Sequence, residues 1–363
     1  MTSLIASLAP RRLHPSLGTA LGTTVVAMEY PCLGRTGFRI SEVVLGGATF
    51  GELNDEADVA RLVHAALDRG VTTIDTADFY AQGRSEELIG KAIAGRRDRL
   101  VIMSKFGNRV GDTVLEHAAL IGRPINHADR WAQGISPNDQ GLSRGHILTA
   151  VEASLRRLGT DYIDVYQMHG WDEFVAPEET LNALDDLVRA GKVRYVGCSN
   201  LTPERLDAYL QASTSAVRAV PRSMQLGYNL VTRDAEREII PFCEASGVSV
   251  LAIMPLAGGL LAGRYRQDEE PETGSRIAAR PMYRDRFWND RTFNLVAGLD
   301  QLAQGSGRTV GQLAVGWVLA NPSVTAAVLG AEHAHEFEEI VMVADKPLEP
   351  AELKTIAALL DAG

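Results

Sequence analysis

The chain predicts an α/β fold, a (β/α)8 TIM barrel with an N-terminal β-hairpin and long βα loops at the C-terminal face of its strands. Three observations carry that expectation. Short β-branched runs alternate with amphipathic segments through all 363 residues, the pattern of parallel strands joined by helices. Gly70, Gly191 and Gly247 each follow a helical run and precede a strand, where a helix C-terminal glycine belongs. The first strand leads into LGGATFG and a polar loop, not into the G-x-G-x-x-G turn of a doubly wound open sheet, which is the competing architecture.

Taken in chain order, residues 1–27 hold Arg11 and Arg12 ahead of LGTALGTTVVA. Such a patch resembles a poor secretion signal, but glycine and threonine interrupt its apolar run. It reads as a disordered extension, with one barrel domain over 28–363. EYPCLGRTGFRIS then reads as a hairpin turning at Arg35-Thr36-Gly37 and closing the bottom of the barrel. Strands are expected at VVLGG (43–47), VTTID (71–75), LVIMSK (100–105), IDVYQMH (163–169), VRYVGCS (193–199), SMQLG (223–227), VSVLAIM (248–254) and TAAVL (325–329). Segments such as DEADVARLVHAALDRG (55–70) repeat apolar residues near i, i+3, i+4 and i+7, a helical face. Ala176-Pro177 and Thr202-Pro203 place proline in a first helical turn. Two long loops, 107–142 and 262–292, each follow a strand, so both belong to the face where barrel active sites are built. They are read as lids.

Composition bounds the partners. With 45% apolar and 23% charged residues the chain is an ordinary globular one. A net charge of −10 speaks against nucleic acid and anionic membranes, which need a basic face. No apolar run reaches the ~18 residues of a membrane span. Cys32, Cys198 and Cys243 are odd in number and far apart, so they read as reduced thiols of a cytoplasmic protein, without a disulfide framework or a metal site. Oligomeric state stays open, a homo-oligomer being compatible with everything above.

Four residues carry the chemistry. Asp75, Tyr80, Lys105 and His169 sit where β-branched runs give way to loops. A phenol is a reluctant acid with a pKa of ~10. A neighbouring ammonium favours its phenolate, and a carboxylate keeps that ammonium charged. An imidazole can hydrogen-bond a carbonyl oxygen and orient it. The carbonyl carbon then needs a hydride, which no side chain supplies, so a nicotinamide cofactor follows. A cofactor-free use of the same groups, as in a lyase, isomerase or cyclase, and a redox-sensing regulatory subunit are the alternatives.

DTADFYAQGRSEELIGKAI, VIMSKFG, LRRLGTDYIDVYQMHGWD, ALDDLVRAGKVRYVGCSN and PLAGGLLAGRY resemble the aldo-keto reductases, closest to their aryl-alcohol-dehydrogenase-like and potassium-channel-β-like branch. The resemblance covers Glu29 to Ala357. It implies NADPH-dependent carbonyl reduction, with Asp75, Tyr80, Lys105 and His169 as the catalytic tetrad and a small carbonyl compound as substrate. It also implies cofactor contacts. Ser199, Asn200 and Gln225 match the residues holding the nicotinamide carboxamide, Gly46 and Gly47 a nearby glycine turn. Pro255, Leu256, Gly258, Leu260 and Arg264 match the segment around the pyrophosphate, where an arginine can pair with phosphate.

The chain departs from that pattern at both ends of the cofactor. Ile253-Met254 replaces an aromatic residue and serine beside the nicotinamide, which removes a stacking contact. After Gly330, the family's arginine and asparagine around the adenosine 2′-phosphate give way to Glu332 and Ile340, with Glu336 between them; Glu339 matches. A carboxylate repels a 2′-phosphate but accepts a hydrogen bond from a 2′-hydroxyl. NADP(H) is what the resemblance implies; these departures weaken that preference and open the site to NAD(H) as well. For the substrate, small Ala48 suggests a roomy pocket. Phe79, Phe106 and Trp171, with Trp131, Phe287 and Trp288 from the long loops, are the expected aromatic rim. Aryl aldehydes, sugars and polyketide-like ketones remain open as substrates.

Overall fold

The structure is a computed structural model that describes residues 28–108, 110, 136, 138–213 and 219–362. The expected N-terminal extension, most of the loop 107–142 and Trp131 lie outside the described residues.

Eight parallel strands close into a barrel in sequential order. They are β1 (Val43–Gly46), β2 (Thr73–Asp75), β3 (Val101–Phe106), β4 (Ile163–Met168), β5 (Val193–Ser199), β6 (Pro221–Gly227), β7 (Ser249–Ile253) and β8 (Val324–Leu329). Helices α1 (Glu56–Asp68), α2 (Arg84–Ala92), α3 (Arg144–Leu158), α4 (Pro177–Arg189), α5 (Pro203–Ala212) and α6 (Ile239–Ser246) follow the first six strands in turn. The segment after β7 holds two short helices, α7 (Arg276–Ala279) and α8 (Pro281–Phe287), then α9 (Asp290–Ser306) and α10 (Val310–Ala320). Helices α11 (Ala334–Val341) and α12 (Pro350–Ala362) follow β8. Among the described residues no helix is long and apolar enough to cross a membrane.

All eight expected strands form, β5 with the expected bounds and the others with shifted ends. Strand β2 starts at Thr73 because the N–H of Val71 is spent on Ala66 O (2.9 Å), finishing α1 beyond Gly70. Strand β6 starts earlier, at Pro221; a proline lacks the N–H that a strand interior needs and so fits at a first position. The second half of the segment 262–292, expected as a loop, carries two short helices, since Ser275 and Pro281 each open a turn.

The expected hairpin shrinks to one antiparallel bridge, Cys32 to Arg39. Its left-handed glycine is Gly34 (φ 55°), not Gly37. A β-carbon at Gly34 would meet Arg222 O at 2.8 Å, so the turn lies directly against the start of β6. The hairpin's function is apolar: Leu33 and Ile40 are fully buried and join Val44, Met103, Val165, Leu251 and Ala326 inside the barrel. A second, larger apolar shell fills the space between strands and helices. Above the interior plug the inward positions turn polar, and the site begins there.

Truncating the plug tests its weight. Ile40→Ala is expected to cost about 2–5 kcal/mol, as for other buried large-to-small changes, read by urea unfolding. A loss below about 0.5 kcal/mol, the size of a surface change, would show that the barrel floor does not rely on it.

Candidate active site

Strand alternation sends Asp75, Lys105, Gln167 and Gln225 into the barrel, where all four are buried. Lys105 Nζ donates to Asp75 Oδ2 (2.6 Å), Thr76 O (2.9 Å) and Tyr80 Oη (3.0 Å). An ammonium has three hydrogens, and each has an acceptor. Asp75 is equally saturated: its Oδ1 accepts from Gln167 Nε2 (3.1 Å) and Gln225 Nε2 (2.5 Å). Burial by itself pushes Lys105 down, but Asp75 and then Tyr80 more than offset it, and the ammonium's pKa is raised.

Tyr80 is delivered by a loop that extends the sheet. The N–H groups of Thr76 and Asp78 donate to Met103 O (2.8 Å) and Lys105 O (3.0 Å) of β3. The chain then reverses through left-handed backbone at Ala81 (φ 47°) and Gln82 (φ 58°), a conformation costing about 1–2 kcal/mol per non-glycine residue. Burial pushes the Tyr80 phenol up and the Lys105 ammonium opposes this; the balance is upward. This departs from the sequence expectation of a lowered pKa, because taking the phenol out of water outweighs its one cation. The phenol therefore holds its proton at neutral pH. Since Oη accepts from Lys105, its own hydrogen points away from Lys105.

His169 N donates to Phe106 O (2.9 Å), so the residue sits just past β4. Its ring stands edge-on to those of Phe79 (5.1 Å between centroids) and Tyr80 (5.9 Å). Burial, then Lys105, pushes His169 well below the usual 6.5; the imidazole is neutral at pH 7.

These groups lie at one end of a cavity of about 370 Å³. Gly46, Ala48, Ser199, Asn200, Gln225, Ile253, Met254, Pro255, Leu256, Gly258, Arg264, Gly330, Glu332, Glu336 and Glu339 line it as well. Asn200 Nδ2 donates to Ser199 Oγ (2.9 Å), whose hydroxyl donates to Gln225 O (3.3 Å), so the three form one unit. At the far end Arg264 bridges Glu332 (3.0 Å) and Glu336 (3.2 Å).

Seven candidates do not line the cavity. Gly47 instead permits close packing, since a β-carbon there would meet Ser85 Oγ at 3.0 Å. Leu260 is buried in the outer apolar shell. Phe106 points outward and stacks on Tyr166 (4.5 Å), as it must when its neighbour Lys105 points inward. Phe79 packs behind His169. Trp171 rests edge-on against Tyr209 (5.4 Å). Phe287 stacks behind Tyr283 (6.0 Å), and Trp288 packs against Tyr265 and Phe293.

Among the residues that escaped the sequence reading, three bear on the chemistry. Gln167 had a signal, the two-residue period that puts it on the face of Val165 and His169. Arg276 and Tyr283 line the cavity from the segment expected as a loop, and nothing set Arg276 apart from the other arginines there. Arg276 Nη2 donates to Tyr283 Oη (3.1 Å). Gln225 Oε1 and Arg276 Nε are among the buried atoms of lining residues that have no hydrogen-bond partner among the described residues. Buried polar atoms without partners are costly, and these two suit a ligand bearing an amide at one end and a phosphate further along.

The sequence model described as "Aldo/keto reductase family" matches residues 42–361. An "Aldo-keto reductase dtxS3" of Metarhizium robertsii is 34% identical over 93% of this chain and 92% of its own length. A "Versiconal hemiacetal acetate reductase" of Aspergillus parasiticus is 34% identical over 90% of this chain and 95% of its own. A "Probable voltage-gated potassium channel subunit beta" of Oryza sativa subsp. japonica is 32% identical over 88% and 92%.

Two measurements probe the buried charges. Lys105→Met leaves Asp75 without its cation and is expected to destabilise by about 3–5 kcal/mol, read by denaturant unfolding; a neutral outcome would contradict the pairing. His169 has a depressed folded pKa, so its share of stability is complete above pH 6.5 and is lost as pH falls below it. Below pH 6.5 the wild-type slope of stability against pH should exceed that of His169→Asn, by up to about 1.4 kcal/mol per pH unit. Parallel slopes would mean that the imidazole is not held neutral.

Proposed function

The chain belongs to the aldo/keto reductase family, whose named members support carbonyl reduction; on that premise we propose that it reduces a ketone or aldehyde with a nicotinamide dinucleotide, and that Tyr80 donates the proton. The observation that carries the reading is the saturated Lys105: all three of its hydrogens are committed, one of them to Tyr80 Oη.

A protonated phenol beside a fixed ammonium suits a general acid. Tyr80 gives its proton to the carbonyl oxygen, and the phenolate left behind faces Lys105 at 3.0 Å. Asp75 keeps Lys105 charged and immobile, and Gln167 and Gln225 keep Asp75 in place. Neutral His169 orients the carbonyl oxygen without competing as an acid. When bound, a reduced nicotinamide supplies the hydride that no side chain can. Ser199, Asn200 and Gln225 would hold its carboxamide, and Arg276 would face the diphosphate. Ile253 and Met254 offer the ring an apolar wall in place of an aromatic stack. Ala48, Tyr283 and the apolar lining suit a bulky, partly apolar carbonyl compound.

Tyr80→Phe deletes the donated proton and, with it, one of the three acceptors of Lys105. It is expected to lower carbonyl reduction by about 10²–10⁴-fold, while dinucleotide binding, read by quenching of tryptophan fluorescence, changes less than about threefold. Full activity in that variant would sink the mechanism.

A further inference from the structure

The two ends of the cavity carry opposite characters. At the tetrad end Asp75, the one carboxylate that lines the cavity there among the described residues, is saturated by donors. At the far end three carboxylates, Glu332, Glu336 and Glu339, line the wall. Two guanidiniums stand against them. Arg264 is held between Glu332 and Glu336. Arg276 points past Gly330, where a β-carbon would meet its Nη1 at 3.5 Å, toward Tyr283.

We propose that this enzyme prefers NAD(H) to NADP(H), with the Glu332–Arg264–Glu336 bridge as the discriminating element. The inference rests on the hydride reading above. With the nicotinamide at Ser199, Asn200 and Gln225, the adenosine half must run toward Gly330 and α11. There a 2′-phosphate brings about two negative charges to a wall that is already net negative. Of the two guanidiniums there, Arg276 is turned to Tyr283 and Arg264 is engaged twice, so a phosphate gains Arg264 only by displacing carboxylates 3.0 and 3.2 Å away. A 2′-hydroxyl brings no charge and donates a hydrogen bond that a carboxylate accepts.

The bridge is also built in. Glu332 Oε1 accepts from the N–H of Arg276 (3.2 Å), and Glu332 O accepts from Asn54 Nδ2 (2.7 Å). Glu336 Oε2 accepts from His333 N at the start of α11 (3.3 Å). These bonds hold the carboxylates from behind and oppose their swinging away to admit a phosphate. Both are largely buried, with side chains 16% and 21% exposed, so bulk salt screens them only in part.

The test is equilibrium binding of NADH and NADPH, each followed by tryptophan quenching and calorimetry, to the wild type and to the Glu332→Gln/Glu336→Gln double variant. Wild type should bind NADH at least tenfold more tightly, and the double variant should shift the affinity ratio at least tenfold toward NADPH. If the double variant does not fold, Glu332→Gln alone, which retains the backbone bond to Asn54, should shift the ratio at least threefold. Tighter NADPH binding by the wild type, or a ratio unmoved by the substitutions, overturns the inference and leaves the hydride reading intact. Binding of neither nucleotide overturns both.

Discussion

The site depends on one requirement: an ammonium taken out of water inside a barrel must find an acceptor for every hydrogen. Lys105 meets it with Asp75, Thr76 O and Tyr80. Asp75 in turn draws donors from β4 and β6. The resulting layer joins residues on or beside β2, β3, β4 and β6, so the register of half the barrel and the position of the phenol are settled together. Removing one member leaves a buried charge uncompensated, which is far more costly than losing a surface pair.

Below that layer the barrel is sealed by Leu33 and Ile40, and above it the cavity opens. The sealed floor matters to the chemistry. It leaves the tetrad approachable from one side only, and burial then sets two protonation states at once. The phenol keeps its proton and the imidazole goes without one. The same environment acts on an acid and a base in opposite senses, which suits the donor and orienting roles proposed for them.

Much of this was legible in the residues. Strand positions followed from β-branched runs, and the tetrad from residues at strand ends, because both are local signals. The two-residue period also carries orientation: it separates inward Lys105 from outward Phe106, expected at the pocket rim, and marks Gln167, which the sequence reading passed over. What escaped needed tertiary knowledge. The segment 262–292 reads as a charged loop, yet α7 and α8 bring Arg276 and Tyr283 to the cavity and put Phe287 one layer behind. Aromatic side chains in a long loop do not announce whether they face a ligand or brace the residue that does. The Arg264 bridge was likewise hidden, since its partners lie 68 and 72 positions further along the chain.

Closure of the barrel joins β1 to β8, pairing Val43 with Ala327 and Leu45 with Leu329, and the turn at Gly34 donates to Ser249 Oγ across 215 positions. Contacts this distant in sequence form late and slow the search for the native state. During synthesis the first strand therefore leaves the ribosome with one edge open, and it stays open until almost the whole chain has emerged. An unpaired edge is a template for another chain. For this protein the vulnerable period is its own translation, and a nascent-chain holder or a cool growth temperature should govern how much of it is recovered folded.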